Sequence, residues 1–239
     1  MVFGVSLVLI SAMVYSSQIM IFRTPRDSFF YLFQDLAFVP IQILLVTLIL
    51  DQLLRIREKR SMMKKLNMVI GAFYSEVGTA LLKLLSVYDM RYEAFHGNLI
   101  ITGRWNDQDF ARVRREMLSF DYHLNSRKKG LDTLSSFLLN KREFLLRLLE
   151  NPNLLEHESF TDLLWAVFHL TEELSARTDL GKLPEQDHDH LSGDIKRAYI
   201  LLVIEWLSYM NHLKVDYPYL FSLAVRTNPF NPDSAAEIT

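Results

Sequence analysis

The residues best suited to chemistry are histidines set near carboxylates. His169 and Glu173 fall at i and i+4 on one helical face, and Glu205 and His212 lie seven apart on a later helical stretch. Imidazole and carboxylate projected from two bundle helices form a donor set for a transition metal, as in di-iron bundles. Those bundles use Glu-x-x-His on two helices plus further Glu, and no such pair occurs on the helices expected here. Surface or capping roles are therefore expected, with no metal ligand, cofactor or catalytic residue assigned. His188 and His190 alternate with Asp187 and Asp189 beside Glu185 and read as a solvated connecting loop over residues 178–190. A Gly-rich phosphate loop, G-x-S-x-G, a Cys nucleophile and H-E-x-x-H are all missing from the sequence, so no enzymatic activity is expected.

A second kind of chemistry is an ionisable group in lipid. Phe29 to Leu50 is apolar except for Gln34, Asp35 and Gln42, with Pro40 among them. A carboxylate in hydrocarbon needs a partner, water or a proton. In a hairpin turning near Pro25, Ser16, Ser17 and Gln18 would face Asp35, and Arg23 or Arg26 could reach it from the loop. Asp35, Gln34, Gln42 and Lys59 are accordingly the candidate intramembrane polar or pore-lining residues.

Charge patterning defines the elements that would carry these groups. The 239 residues are 50% hydrophobic and 23% charged with no Cys, which excludes disordered and disulfide-stapled classes. Lys plus Arg total 26 against 28 Asp plus Glu, so no global charge favours a nucleic-acid partner. Met1 to Phe22 carries no charge and as a helix reaches roughly 33 Å, enough for a hydrocarbon core of about 30 Å. A basic n-region and a cleavage site are lacking, which favours a retained span over a signal peptide. Arg55, Arg57, Lys59, Arg60, Lys64 and Lys65 follow the second apolar segment at once. The positive-inside rule places that collar, and both termini, in the cytoplasm of a prokaryotic plasma membrane.

Steps of three and four from Asp35 pick out Phe38, Gln42, Leu45, Ile49, Gln52, Ile56, Lys59, Met63, Leu66, Ile70, Phe73, Val77, Ala80, Leu84 and Val87. One helix leaving the membrane and continuing as a packed stalk is the economical reading. Leu66, Ile70, Phe73 and Val77 form its candidate oligomer seam. Gly71, Ser75 and Gly78 permit close backbone approach along one stripe. Further helices are expected from Asn106 or Asp107 to Leu124, Lys129 to Glu150, Leu154 or Ser159 to Arg177, Leu191 to Val215 and Pro218 to Ala224. Asn151-Pro152-Asn153 would stop the second of these, and Leu99-Ile100-Ile101 is at most one short strand. Asn228-Pro229-Phe230 reads as turn chemistry.

The expected class is all-α: a two-span transmembrane hairpin (1–50), a basic collar and helical stalk (51–90), a cytoplasmic helical domain (91–227) and a flexible tail (228–239). The expected function is non-enzymatic, with the helical domain mediating self-association or partner binding at the bilayer. Its partners would be lipid, further copies of the chain and an unidentified protein, but not nucleic acid. The aromatic end Tyr217, Tyr219 and Phe221 would dock on the bundle or a partner. The alternative is a homo-oligomeric ion channel with the second span lining its pore.

Overall fold

The computed structural model describes residues 2–22, 25–152, 154 and 157–237. Arg23 and Asn153 lie outside the described residues. The fold is all-α, and no strand occurs among the described residues; one antiparallel bridge joins Asp89 to Leu124. Two units are distinct, Met1–Ser61 and Met62–Thr239.

The first unit contains α1 (Val2–Phe22) and the first part of α2 (Pro25–Phe73). Residues 29–61 are exposed without interruption, the apolar ones included. The helix Phe29–Ser86, which contains this stretch, is long and apolar enough to cross a membrane by length and composition; in α1 the described apolar stretch is the shorter Leu9–Ile21. Pro40 sits inside α2 without ending it.

The second unit begins where α2 acquires neighbours. Leu66, Ile70 and Phe73 are buried in a core shared with the later helices, so the expected stalk belongs to the bundle from Met62 onward. The helical backbone then changes pitch through a π-turn, Tyr74–Gly78, before α3 (Thr79–Ser86). Thr79 Oγ1 donates to the Tyr74 carbonyl at 2.9 Å, closing the wider turn. A π-turn inserts one residue into the helical repeat, which moves the inward face by one position. The expected seam residues Ala80 and Val87 are therefore exposed, and Leu81, Leu85 and Tyr88 are buried in their place. Leu84 is half-buried against the same core.

Downstream, Asn106 caps α4 (Asp107–Ser119) with a full capping box, its side chain accepting from Gln108 and Asp109 while Asp109 accepts from its backbone. The helix stops short of Leu124 because Phe120 turns extended and packs on Phe95 at 4.7 Å between ring centres. Leu99 and Ile101 are buried, yet Leu99 closes a 3-10 turn (His96–Leu99) rather than starting a strand. Helix α5 (Leu131–Leu149) starts two residues later than expected, since Gly130 adopts φ 122°, a region open to glycine. Helix α6 (Glu158–Ser175) is followed by α7 (Glu185–Asp216), which begins six residues before the expected Leu191 and absorbs part of the expected loop. Helix α7 contacts α3, the π-turn, α4, α6 and α8 (Pro218–Arg226).

The segment after Arg226 corrects the flexible-tail expectation. Asn228 is buried and donates to the Leu99 carbonyl at 2.9 Å, while its Oδ1 accepts from Phe230 N at 2.9 Å. Phe230 packs on Trp206 at 5.1 Å. The turn chemistry read from Asn228 and Pro229 holds an apolar plug in place.

Gly78 is the residue the π-turn cannot exchange. A Cβ there would lie 2.5 Å from the Tyr74 ring and 2.9 Å from that of Phe73, both packed in the core, whereas one at Gly71 meets Tyr209 at an ordinary 3.7 Å. Gly78→Ala should cost about 1–3 kcal/mol by overpacking. Gly71→Ala should be neutral or gain up to about 1 kcal/mol from helix propensity. Circular-dichroism melts of the two variants measure this; equal midpoints would show that the Phe73 and Tyr74 rings yield freely.

Candidate functional site

In the first unit, Asp35 has a partner that the sequence did not single out. Tyr15 OH of α1 donates to Asp35 Oδ2 at 2.6 Å. Ser17 instead bonds back to its own helix, at the Met13 carbonyl. Tyr15 is one residue from the predicted level of Ser16, so the depth was legible and the donor was not. Gln34, Gln42 and Lys59 are exposed on α2, as are the other collar cations; Arg55 pairs with Asp51 at 3.0 Å.

In the second unit, the seam residues Leu66, Ile70, Phe73 and Val77 are all covered by the chain's own bundle. Phe73 meets Phe160 edge-on at 5.3 Å, and Tyr74 stacks on Tyr209 at 4.8 Å while donating to the Leu202 carbonyl at 3.0 Å. A contact between copies would have to use another face. Beside this layer an apolar cavity of about 640 Å³ opens between the end of α2, α7 and α8, lined chiefly by Met68, Tyr74, Trp206, Tyr209, Tyr217 and Leu223. Of the expected aromatic docking residues, Tyr217 lines this cavity, Phe221 is buried, and Tyr219 is 71% exposed.

The histidine and carboxylate groups sort differently from their sequence spacing. His212 pairs with Asp216 at 2.8 Å and touches Asn67 at 3.1 Å, while Glu205 is buried in the core; neither joins His169. The residues that do join it come from the start of α7. His169 Nε2 lies 3.7 Å from Glu173 Oε1 and 3.5 Å from Asp194 Oδ2, and His190 Nε2 lies 3.4 Å from Glu173 Oε2 and 3.3 Å from Asp194 Oδ2. One ligand atom from each of the four can be chosen so that all lie within 4.8 Å of one another. Two imidazoles and two carboxylates are a donor set for a divalent ion.

Local structure explains the convergence. His169 and Glu173 occupy one turn of α6, and His190 and Asp194 repeat the i, i+4 spacing on α7. The polar beginning of α7 is held by the loop between α4 and α5: Ser126 Oγ donates to the His188 carbonyl at 2.7 Å, and Arg127 pairs with Asp189 at 2.9 Å. The acidic first turn, Glu185 and Asp187, also complements the helix dipole. Arg177 pairs with Glu173 at 2.8 Å and with Asp187 at 3.4 Å, and its guanidinium holds the Glu173 carboxyl below the usual carboxylate range. Arg197 pairs with Asp194 Oδ1 at 3.2 Å, leaving Oδ2 buried and without a hydrogen-bond partner. In the sequence His190 reads as a loop residue, with nothing local that ties it to His169. The repeated His-x-x-x-carboxylate spacing, with Pro184 and an acidic turn announcing a helix, was the available signal.

Residues 1–54 match the family described as "MJ1433, N-terminal helical domain", and residues 62–226 match "Uncharacterized protein MJ1433, C-terminal helical domain". The two matched stretches flank the boundary between the structural units at Ser61 and Met62. Over 238 residues the chain is 45% identical to "Uncharacterized protein MJ1433" of Methanocaldococcus jannaschii, covering 98% of this chain and 94% of that relative. No solved structure matches. With both helical domains matched and almost the whole relative covered, the chain belongs to the MJ1433 family.

Proposed function

We propose that the protein is a non-enzymatic, two-span membrane protein of a prokaryotic plasma membrane that self-associates and holds its helical domain on the cytoplasmic face. The observation that carries this reading is the uninterrupted exposure of residues 29–61, whose apolar part has no cover from the chain. Lipid is the cover that such a surface fits, since monomeric soluble proteins rarely expose apolar patches of this extent. The Tyr15–Asp35 hydrogen bond supports a hairpin, because it satisfies, from the facing helix, the one acidic group of residues 29–50. The collar from Arg55 to Lys65 supports the cytoplasmic assignment.

Self-association follows from what remains unsatisfied. Gln34 and Gln42 are exposed on α2 within the apolar stretch, and an amide facing hydrocarbon seeks donors and acceptors on another helix at the same depth. A second copy of α2 carries such groups by symmetry, and Gln42 lies one heptad from Asp35 on the same helix face. That heptad spacing also favours the second reading, an ion-conducting oligomer with Asp35 and Gln42 as polar rings and Lys59 toward the inner mouth.

The sequence contains no Cys, so single-cysteine variants report topology cleanly. In intact cells a membrane-impermeant maleimide should label Asp27→Cys but label Asp233→Cys only after permeabilisation; the reverse pattern, or full extraction by alkaline carbonate, overturns the anchored reading. Mass photometry of the detergent-solubilised full chain should show a multimer that Gln42→Leu shifts toward monomer. A wild-type monomer removes self-association and the pore together.

A further inference from the structure

We propose that His169, Glu173, His190 and Asp194 bind one divalent first-row transition-metal ion of the zinc class, in a four-ligand site joining α6 to the start of α7. This inference concerns the helical domain alone and stands apart from the membrane reading.

The geometry points to a shared ion rather than to ion pairs. The four N···O separations are 3.3, 3.4, 3.5 and 3.7 Å. A direct N–H···O contact would close to about 2.7–3.2 Å. A tetrahedron of ligands at about 2.0–2.1 Å from a central zinc has edges of roughly 3.3–3.4 Å. The two separations to Asp194 Oδ2, 3.3 and 3.5 Å, approach that value, those to Glu173 run to its two different oxygens, and one ligand atom per residue can be chosen with all four inside 4.8 Å. An octahedral magnesium site would instead draw cis ligands to roughly 2.9–3.0 Å and favours oxygen donors.

Burial gives a second, independent observation. The Asp194 side chain is 4% exposed, and its Oδ2, aimed at both imidazoles, has no hydrogen-bond partner. An unsatisfied buried carboxylate oxygen is costly, and a cation between it and the two Nε2 atoms removes that cost. Both carboxylates are held by arginines, Asp194 by Arg197 through its other oxygen and Glu173 by Arg177 through Oε2, the oxygen that also faces His190, while Oε1 is turned to His169. Outer partners of this kind fix the direction of ligating groups. The arginines do not fill the site's charge requirement, because Arg177 is shared with Asp187 and Arg197 is largely exposed. His169 and His190 are 45% and 53% exposed, so an ion can enter without opening the core.

The full-length protein in detergent, stripped with a chelator, should bind Zn²⁺ added alone at one equivalent by calorimetry, with a rise in its melting midpoint. Co²⁺ in its place should give the strong visible bands of a tetrahedral ion. His169→Ala and His190→Ala should each weaken Zn²⁺ binding by about 100-fold or more, whereas His123→Ala, at an exposed histidine beside Asp121, should leave it unchanged. The first two positions are half-exposed, and metal-free melts of the variants near wild type establish that a lost affinity is not lost folding. Binding well below one equivalent, affinity indifferent to both substitutions, or only the weak bands of six-coordinate Co²⁺ would overturn the site.

Discussion

The helical domain depends on α7 losing solvent on nearly every side. Leu202 to Leu207 is a run of six buried residues, so no face of that part of the helix is available to water. A helix buried all round needs neighbours all round. Helices α3, α4, α6, α8 and the π-turn are those neighbours. The plug of Asn228 and Phe230 supplies further cover, with Phe230 against Trp206. Each fully buried Leu, Ile or Phe contributes roughly 1.5–3 kcal/mol relative to exposure, so this axis is where the domain's apolar stabilisation concentrates.

That demand also explains the π-turn. A uniform α-helical repeat from Leu66 would have turned Ala80 and Val87 inward, placing one small side chain and one valine against α7. With one residue inserted, Leu81, Leu85 and Tyr88 reach the core. The insertion brings Tyr74 onto Tyr209 and its hydroxyl onto the Leu202 carbonyl, and it requires a residue without a side chain at its end. Burial raises the Tyr74 hydroxyl well above its ordinary range, so it remains a donor at any physiological pH.

Periodicity and punctuation made most helices legible. Asn106 announced its capping box, Pro218 opened α8, and the leucines of α5 marked its inward face. What failed was local reasoning where tertiary contacts decide. The phase slip after Val77 leaves no mark in composition, because the sequence on both sides is equally apolar. The start of α7 is polar and reads as loop until Ser126 and Arg127, some sixty residues earlier, are seen to hold it. Asn228 looks like a turn residue and is one, yet its amide also reaches the Leu99 carbonyl across 129 positions.

The four-residue cluster was half legible for the same reason. His169 and Glu173 share a turn and were found by spacing; His190 and Asp194 share a turn only if α7 begins before Leu191. The polar opening of α7 gains little from apolar burial before Leu191, so its position must come from electrostatics. On one flank Arg127 meets Asp189, and on the other Arg177 spans Glu173 and Asp187. These exposed or part-exposed pairs are individually worth at most about 1 kcal/mol. A bound ion differs in kind, since its affinity for the folded arrangement adds directly to folding free energy. Placed where α7 has the least core to hold it, such an ion would fix the entry of the domain's central helix to α6, the neighbour it shares most contact with.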